Sequence, residues 1–126
     1  MTGTEIYNTA LSLMGESADR YYDQSALSCL NAILAECFEI ENNIRRSKGE
    51  TVLSAPQKAV SLNDEIIYAD TLLTAAIPYG MASRLSISDG DMARTTWLQN
   101  LYNDAAQGCR KAVVGAIEDV YGGGNY

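Results

Sequence analysis

The second half of the chain, from Asp64 to Tyr126, most constrains the fold, because two helix-patterned segments there are joined by a short acidic turn. The turn is Ser88-Asp89-Gly90-Asp91, and a glycine-rich tail, Gly122–Tyr126, follows the second segment. Apolar residues recur every three or four positions on both sides of the turn, which indicates amphipathic helices. The layout predicts a small helical protein that packs against a partner or against copies of itself.

The first of these two segments predicts a helix that begins at Asn63 or Asp64 and ends at Leu85. Pro78 lies inside it and removes a backbone hydrogen bond while its ring crowds the carbonyl four residues earlier. We therefore expect a kink near Thr74–Pro78, or two shorter helices in place of one.

The second segment predicts a long helix with Asp89 as its N-cap, Asp91 in its first turn and its end at Tyr121. One row of apolar positions runs along it: Ala93, Trp97, Leu101, Ala105, Cys109, Val113, Ile117 and Val120. A strip of small residues runs beside that row: Ala105, Gly108, Ala112 and Gly115. Glycine costs about 1 kcal/mol relative to alanine in a helix, and close approach of another helix would offset this cost. The strip predicts an inter-subunit contact, with a soft or bent helix as the alternative.

The first half predicts two helices. One runs from Thr4 to Met14, with a capping box between Thr2 and Glu5 and a left-handed stop at Gly15.

The other helix of the first half covers about Asp23 to Ser47, with Asp23 as its cap and Gly49 as its stop. Its apolar seam steps by four and three residues: Ala26, Leu30, Ile33, Cys37, Ile40 and Ile44. That spacing is typical of a core helix that is packed along most of its length.

Residues 48–63 interrupt the helical pattern with short β-compatible runs on either side of Pro56. They predict a small β-hairpin or an extended arm, and an ordinary connecting loop is the remaining alternative. Four apolar residues would carry the contacts of such an arm: Val52, Leu53, Val60 and Leu62.

Together these segments predict an all-α protein: a four-helix bundle with a long C-terminal helix and an extended arm between its second and third helices. The chain has 126 residues, of which 47% are hydrophobic, and this is sufficient for one domain with a real core. We expect a single domain over residues 1–121 and a flexible tail over residues 122–126.

The net charge of −7 is spread evenly, and the basic residues cluster only at Arg45-Arg46-x-Lys48 and Arg110-Lys111. Gripping a phosphate backbone requires clustered lysine and arginine. The composition therefore argues against nucleic-acid binding, and the surface is expected to repel DNA that passes near it.

The chain contains no histidine, phosphate loop, dinucleotide fingerprint or zinc signature, so no catalytic, metal or cofactor site is predicted. Asp89 and Asp91 resemble a fragment of a calcium loop, but helix capping explains them better because the later glutamate is missing. The three cysteines have no metal spacing, and an odd number without a signal peptide suggests a reducing cytoplasm. No apolar run approaches the roughly 20 residues of a membrane span.

The helical segment Ala75–Leu85, the acidic turn and the segment Trp97-Leu98-Gln99-Asn100-Leu101-Tyr102 resemble those of head–tail connector (adaptor) proteins of tailed bacteriophages. The Pro-Tyr-Gly within Ala75–Leu85 and the arginine that follows it carry the likeness. The N-terminal part is also similar, with Ala-Leu-x-x-Met-Gly at residues 10–15 and Leu-Asn-x-Ile-Leu at residues 30–34.

The resemblance implies a dodecameric ring beneath the portal protein, which extends the DNA channel and presents a surface for the stopper or tail completion protein. It implies that Gly122, Gly123, Gly124, Asn125 and Tyr126 face the portal and that the 48–63 arm faces a neighbouring subunit or the next ring. DNA would pass without specific binding, and the protein would be made in the host cytoplasm and reside in the virion. No membrane contact is implied.

Two other classes of protein compete with this interpretation. A small helical, protein-binding regulator would form a dimer, whereas an adaptor would be a monomer or a ring. A helical enzyme with a carboxylate site is disfavoured by the missing histidine and by the lack of paired carboxylate motifs.

Overall fold

The computed structural model describes residues 1–18 and 20–121, with the backbone alone for residue 20 and residues 115–121. It confirms the all-α class. The α-helices are α1 (Gly3–Met14), α2 (Arg20–Glu36), α3 (Phe38–Ser47), α4 (Ile77–Ser86) and α5 (Met92–Tyr121). A π-helical turn, Leu72–Ala76, leads into α4, and a 3₁₀ turn, Ile87–Asp89, follows it. The described residues form no strand.

Helix α1 forms with the predicted caps. The hydroxyl of Thr2 accepts a hydrogen bond from the Glu5 backbone N–H, and the Glu5 carboxylate accepts one from the Thr2 backbone N–H. Gly15 ends the helix with a φ of 72°, a conformation that glycine adopts without the steric cost of a side chain. These local signals fix both ends of α1.

The helix predicted over Asp23–Ser47 is divided into α2 and α3 at Cys37, so the structure has five helices where the sequence predicts four. The break is mild, because the Cys37 N–H still donates to the Ile33 carbonyl and the Glu41 N–H to the Cys37 carbonyl. All six residues of the predicted seam are buried, and the seam therefore continues through the break. Asp23 does not cap α2; its carboxylate accepts a hydrogen bond from the Tyr7 hydroxyl.

Helical structure before α4 begins at Asp70, and the predicted start at Asn63 or Asp64 was wrong. The π-helical turn lies where the sequence predicts disruption by Pro78, which occupies the first turn of α4. The Ile77 N–H donates to the Leu72 carbonyl, five residues back. This wider turn accommodates a proline that has no N–H and whose ring would collide with a carbonyl in a regular α-helix.

Helix α4 lies at the centre of the protein, packed against α1, α2 and α5. Eight of its residues are buried: Ile77, Pro78, Gly80, Met81, Ala82, Ser83, Leu85 and Ser86. Gly80 permits the closest approach, because a Cβ at this position would collide with the Ile33 side chain and lie 3.0 Å from Cδ1 of Tyr102. The absence of a side chain at Gly80 therefore lets α2 and α5 pack closely on α4.

The chain between α3 and the π-helical turn crosses the surface in an extended path held by three amide side chains. Asn42 and Asn31 each form two hydrogen bonds to one backbone unit, at Leu53 and at Ala59, with N···O distances of 2.7–3.0 Å. Gln57 bridges the segment internally, donating to the Glu65 carbonyl and accepting from the Ile67 N–H.

These side-chain amides take hydrogen bonds that a paired strand would otherwise make, and the predicted hairpin does not form in the described residues. The one backbone pairing of β type is an isolated antiparallel bridge between Thr2 and Glu65. Its flanks are extended by hydrogen bonds from the Gly3 N–H to the Asp64 carbonyl and from the Ile66 N–H to the Met1 carbonyl.

A buried ion pair on α3 anchors both ends of the same segment. The Glu41 carboxylate, only 2% exposed, accepts from the Arg45 guanidinium at 2.6 Å and from the Ala69 N–H at 2.6 Å. Arg45 also donates to the carbonyls of Thr51 and Ile67. With its charge paired and both of its oxygens hydrogen-bonded, Glu41 meets the conditions under which a buried carboxylate is tolerated.

Helix α5 begins at Met92, and Asp91 is its cap: the Asp91 carboxylate accepts a hydrogen bond from the Arg94 N–H. The predicted cap, Asp89, lies instead in the 3₁₀ turn, and Gly90 separates the two with a φ of 76°. The thirty residues of α5 correspond to a length of about 45 Å. Among residues 92–114 of α5, the buried positions are Leu98, Tyr102, Ala106 and Cys109.

Candidate interaction surfaces

The predicted strip of small residues on α5 is largely uncovered by the rest of the chain. Ala105 packs partly against the core, whereas Gly108 and Ala112 are exposed. A Cβ built on Gly108 would meet no atom within 4 Å beyond its own helix and immediate neighbours. Within the described residues, no intramolecular contact requires a glycine at this position. For Gly115, the fourth member, only the backbone path is described.

Trp97 lies on the same face of α5 as Gly108, because eleven residues make almost three full helical turns. Trp97 is 56% exposed, whereas Leu98, one residue later, is buried. A large exposed aromatic and a bare glycine thus stand about 17 Å apart along one helix face. We call this face, defined by Trp97, Gly108 and Ala112, the open face of α5.

The predicted arm residues divide into two kinds. Val52 is 40% exposed and Val60 is 83% exposed. Leu53 and Leu62 are partly buried against the protein's own core. The arm is therefore bound along its length to the helices, with two valines directed outward.

The α4–α5 corner, defined as Ile87–Met92, exposes both acidic and apolar side chains. Ile87 is 61% and Met92 68% exposed, and the exposed Asp91 lies next to Met92. The Asp89 carboxylate is tied inward, accepting from the Tyr22 hydroxyl at 2.8 Å and 3.0 Å.

Further contacts hold the corner on the start of α2. The Tyr21 hydroxyl donates to the Ser88 carbonyl at 3.1 Å, and Arg94 pairs with Glu16 at 3.1 Å. Burial, together with the neighbouring Asp89 carboxylate, raises the pKa of Tyr22 to about 12, so its hydroxyl stays protonated and donates. These contacts therefore hold the α4–α5 corner in place on the surface of the protein.

A groove between α3 and α5 has a free volume of about 380 Å³. We call it the basic groove. Its lining combines an apolar floor with two guanidinium groups: Ile40, Asn43, Arg46, Arg110, Val113 and Val114. The Arg46 guanidinium is held by a 2.9 Å hydrogen bond to Oδ1 of Asn43.

The basic groove unites the two clusters that the sequence analysis singled out. Residues 45–48 end α3, residues 110–111 lie on α5, and these helices pack against each other. Together the clusters hold five of the nine lysine and arginine residues of the chain. One guanidinium group from each cluster, Arg46 and Arg110, lines the groove of a protein whose net charge is −7.

A polar cluster that is partly buried lies at the break between α2 and α3. The Tyr102 hydroxyl donates to the Glu36 carboxylate at 3.0 Å and contacts the Cys37 sulfur at 3.7 Å, and Arg84 pairs with Glu36. Burial raises the pKa of the Cys37 and Cys109 thiols, which keeps them protonated and poorly nucleophilic. All three cysteines are free, and Cys37 and Cys109 serve as small packing residues.

The side chains of the described residues form no group of three or more that could hold a metal ion. None of the described helices combines the length and the hydropathy needed to cross a bilayer. The predicted portal-facing tail, Gly122–Tyr126, lies outside the described residues.

Sequence reasoning missed Asn31, Asn42, Gln57 and Glu41, the residues that hold the arm. A weak signal was present: Asn31 and Asn42 are eleven residues apart, and each neighbours the apolar seam. Polar side chains that are buried beside a core seam need hydrogen-bond partners, and the N–H and C=O groups of an unpaired backbone segment supply them. Asn42 is buried, although it is not one of the apolar seam residues.

Comparisons of the chain with protein-family models, with curated proteins and with solved structures find no match.

Proposed function

We propose that this protein is a non-catalytic ring component of a tailed bacteriophage virion, a head–tail connector (adaptor). It would dock beneath the portal protein, extend the DNA channel and provide the attachment surface for the stopper or tail completion protein. The support from sequence is the resemblance carried by residues 75–85, 88–91 and 97–102. The support from structure is the set of uncovered surfaces on α5.

The open face of α5 carries the proposal. A glycine inside a helix costs about 1 kcal/mol relative to alanine, and Gly108 has no packing reason within the described chain for that cost. A helix of a neighbouring subunit that packed closely at Gly108 and Ala112 would supply the reason. Trp97 on the same face is of the residue type most enriched at the centre of protein interfaces.

Charge and the remaining surfaces fit the same assembly. A channel wall built from acidic subunits lets DNA slide without sticking, because like charges repel. Val52 and Val60 of the arm would contact a neighbouring subunit, and residues 122–126 would reach the portal.

The experiment is native mass spectrometry of the purified protein from dilute to concentrated samples, alone and with its portal protein. Rings of about twelve copies, formed alone or on the portal, would support the proposal. A strict dimer at every concentration would favour the dimeric regulator instead. A monomer that the portal does not recruit would refute the connector assignment.

A single substitution links this experiment to the open face. Gly108→Leu should leave the melting temperature of the monomer unchanged or higher, since leucine is the better helix former and the site is open. Ring formation should be lost, because the added side chain blocks close approach of a neighbour. The matched control is Gln107→Leu, exposed and turned roughly 100° away on the same helix. Rings that form equally well in both variants would remove the open face from the interface.

A further inference from the structure

The basic groove and the α4–α5 corner are chemically complementary. The groove offers the Arg46 and Arg110 guanidinium groups over an apolar floor. The corner offers the exposed carboxylate of Asp91 between the exposed side chains of Ile87 and Met92. Both the sign of the charge and the apolar character match, and such complementarity fixes the orientation and register of protein contacts.

We propose that the α4–α5 corner of one copy docks into the basic groove of the next copy. This inference rests on the proposed ring assembly and names one contact within it, separate from the open face of α5. Asp91 would pair with Arg46 and Arg110, while Ile87 and Met92 would cover Ile40, Val113 and Val114, residues of the groove floor and wall.

The positions of the two surfaces determine what such a contact builds. The corner precedes α5 and the groove lies near residues 110–114, so about 20 residues or roughly 30 Å of helix separate them. When the contact is made in one direction it is head-to-tail, and repetition generates a closed ring or an open filament. A two-fold dimer would make the same contact twice, corner to groove and groove to corner, so the number of copies in the assembly separates the two arrangements.

The groove fits a protein segment better than a nucleic acid. Its floor is apolar, whereas a phosphate backbone is bound by an extended row of lysine and arginine side chains. The net charge of −7 repels DNA and other copies at long range, whereas at short range the positive charge of the groove attracts the acidic corner of another copy.

Charge reversal on each side, followed by mixing, tests the contact. Arg110→Glu makes the groove less basic and leaves the corner acidic, and Asp91→Arg makes the corner more basic and leaves the groove basic. Each variant alone should associate about tenfold more weakly than the wild type, or weaker still. An equimolar mixture should recover association between unlike variants, because the unchanged basic groove of Asp91→Arg then meets the unchanged acidic corner of Arg110→Glu. Sedimentation equilibrium of the three samples and of the wild type gives the association constants.

Two control substitutions change the same charges elsewhere. Lys111→Glu reverses an exposed charge beside Arg110 that does not line the groove, and Asp104→Arg reverses an exposed acid remote from the corner. Both should retain wild-type association. Asp91 also caps α5, so Asp91→Asn, which keeps the cap and removes the charge, should weaken association while circular dichroism stays unchanged.

The outcomes separate this contact from the ring itself. Rings that persist with wild-type constants in Arg110→Glu and Asp91→Arg would overturn the contact and leave the ring assembly standing. Equal weakening by the control substitutions would also overturn it, because net charge would then be the cause. If the wild-type chain and the mixture of variants both stay monomeric at millimolar concentration, the contact is overturned. The connector proposal would then be tested separately, by whether the portal protein recruits the chain.

Discussion

Helices α4 and α5 are neighbours in the chain and pack against each other, yet their environments differ greatly. Helix α4 is enclosed by α1, α2 and α5, and eight of its ten residues are buried. Along the described side chains of α5, buried residues form one row, and the open face carries an exposed tryptophan and an exposed glycine. Helix α5 thus carries both the open face and a part of the buried framework, by which we mean the residues packed in the core of the protein.

The two helices also use glycine for opposite reasons. Gly80 is required by the protein's own packing, because a side chain there would strike Ile33. Gly108 faces open space, and none of the described residues packs closely against it from outside its own helix. The comparison teaches that a helical glycine indicates close approach, but only the tertiary structure tells whether the approaching surface belongs to the same chain.

The largest expected effect contrasts two adjacent residues of α5. Leu98→Ala should destabilise the protein by about 2–5 kcal/mol, since Leu98 is fully buried and its removal leaves a cavity. Trp97→Ala should change the free energy of unfolding by no more than about 0.5 kcal/mol, because the indole is largely exposed. Urea unfolding of both variants measures the difference. A large loss in Trp97→Ala would place the open face within the folded core.

A smaller effect contrasts the two glycines. Gly80→Ala should cost about 1–3 kcal/mol, because the methyl group overpacks the junction of α4 with Ile33 and Tyr102. Gly108→Ala should stabilise the monomer by up to about 1 kcal/mol through helix propensity alone. Thermal melting at a concentration where the protein is monomeric compares them. If both substitutions shift the melting temperature in the same direction, the distinction between framework and open face is wrong.

The smallest effect concerns the pH dependence of the buried framework. The Tyr68 hydroxyl donates to the Leu34 carbonyl at 2.6 Å, and burial raises the pKa of Tyr68 from 10 to about 12. Because the folded-state pKa is raised, the associated stability is present below pH 10 and is lost as the pH rises through about 12. Tyr68→Phe should lose about 1 kcal/mol near neutral pH, and its deficit relative to the wild type should shrink above pH 10.

Denaturant unfolding of the wild type and Tyr68→Phe across this alkaline range checks the sign. Tyr21→Phe, which removes a hydroxyl from a tyrosine that is 53% exposed, is the control and should retain the wild-type slope because Tyr68 is intact. A deficit of Tyr68→Phe that grows with pH would contradict the assignment.

Much of the helical framework could be predicted because its causes are local. The capping box of Thr2 and Glu5 and the stop at Gly15 lie within a few residues of the helix ends that they fix. The seam from Ala26 to Ile44 is buried throughout because its spacing keeps one helix face apolar.

Where two candidate patterns differ by a shift of one residue or one helical turn, the sequence did not decide between them. The row that contains Trp97 and the row that contains Leu98 both have helical spacing, and the sequence does not say which one meets α4. Asp89 and Asp91 are both suitable N-cap residues. Asp91 caps α5 in the structure, because the Asp89 carboxylate is hydrogen-bonded to the Tyr22 hydroxyl instead. In each case a contact between distant segments decided between equivalent local patterns.

By itself, the sequence determined that the chain is helical, where α1 begins and ends, which face of α2 and α3 is buried, and that the helix before Pro78 is disrupted. Only the tertiary structure decided the path of the arm, the burial of Glu41 and the convergence of the two basic clusters into one groove. The physical reason is range: caps, prolines and periodicity act within one or two helical turns. Backbone hydrogen bonds to Asn31 and Asn42, and the meeting of residues 45–48 with residues 110–111, depend on how helices pack after the chain has folded.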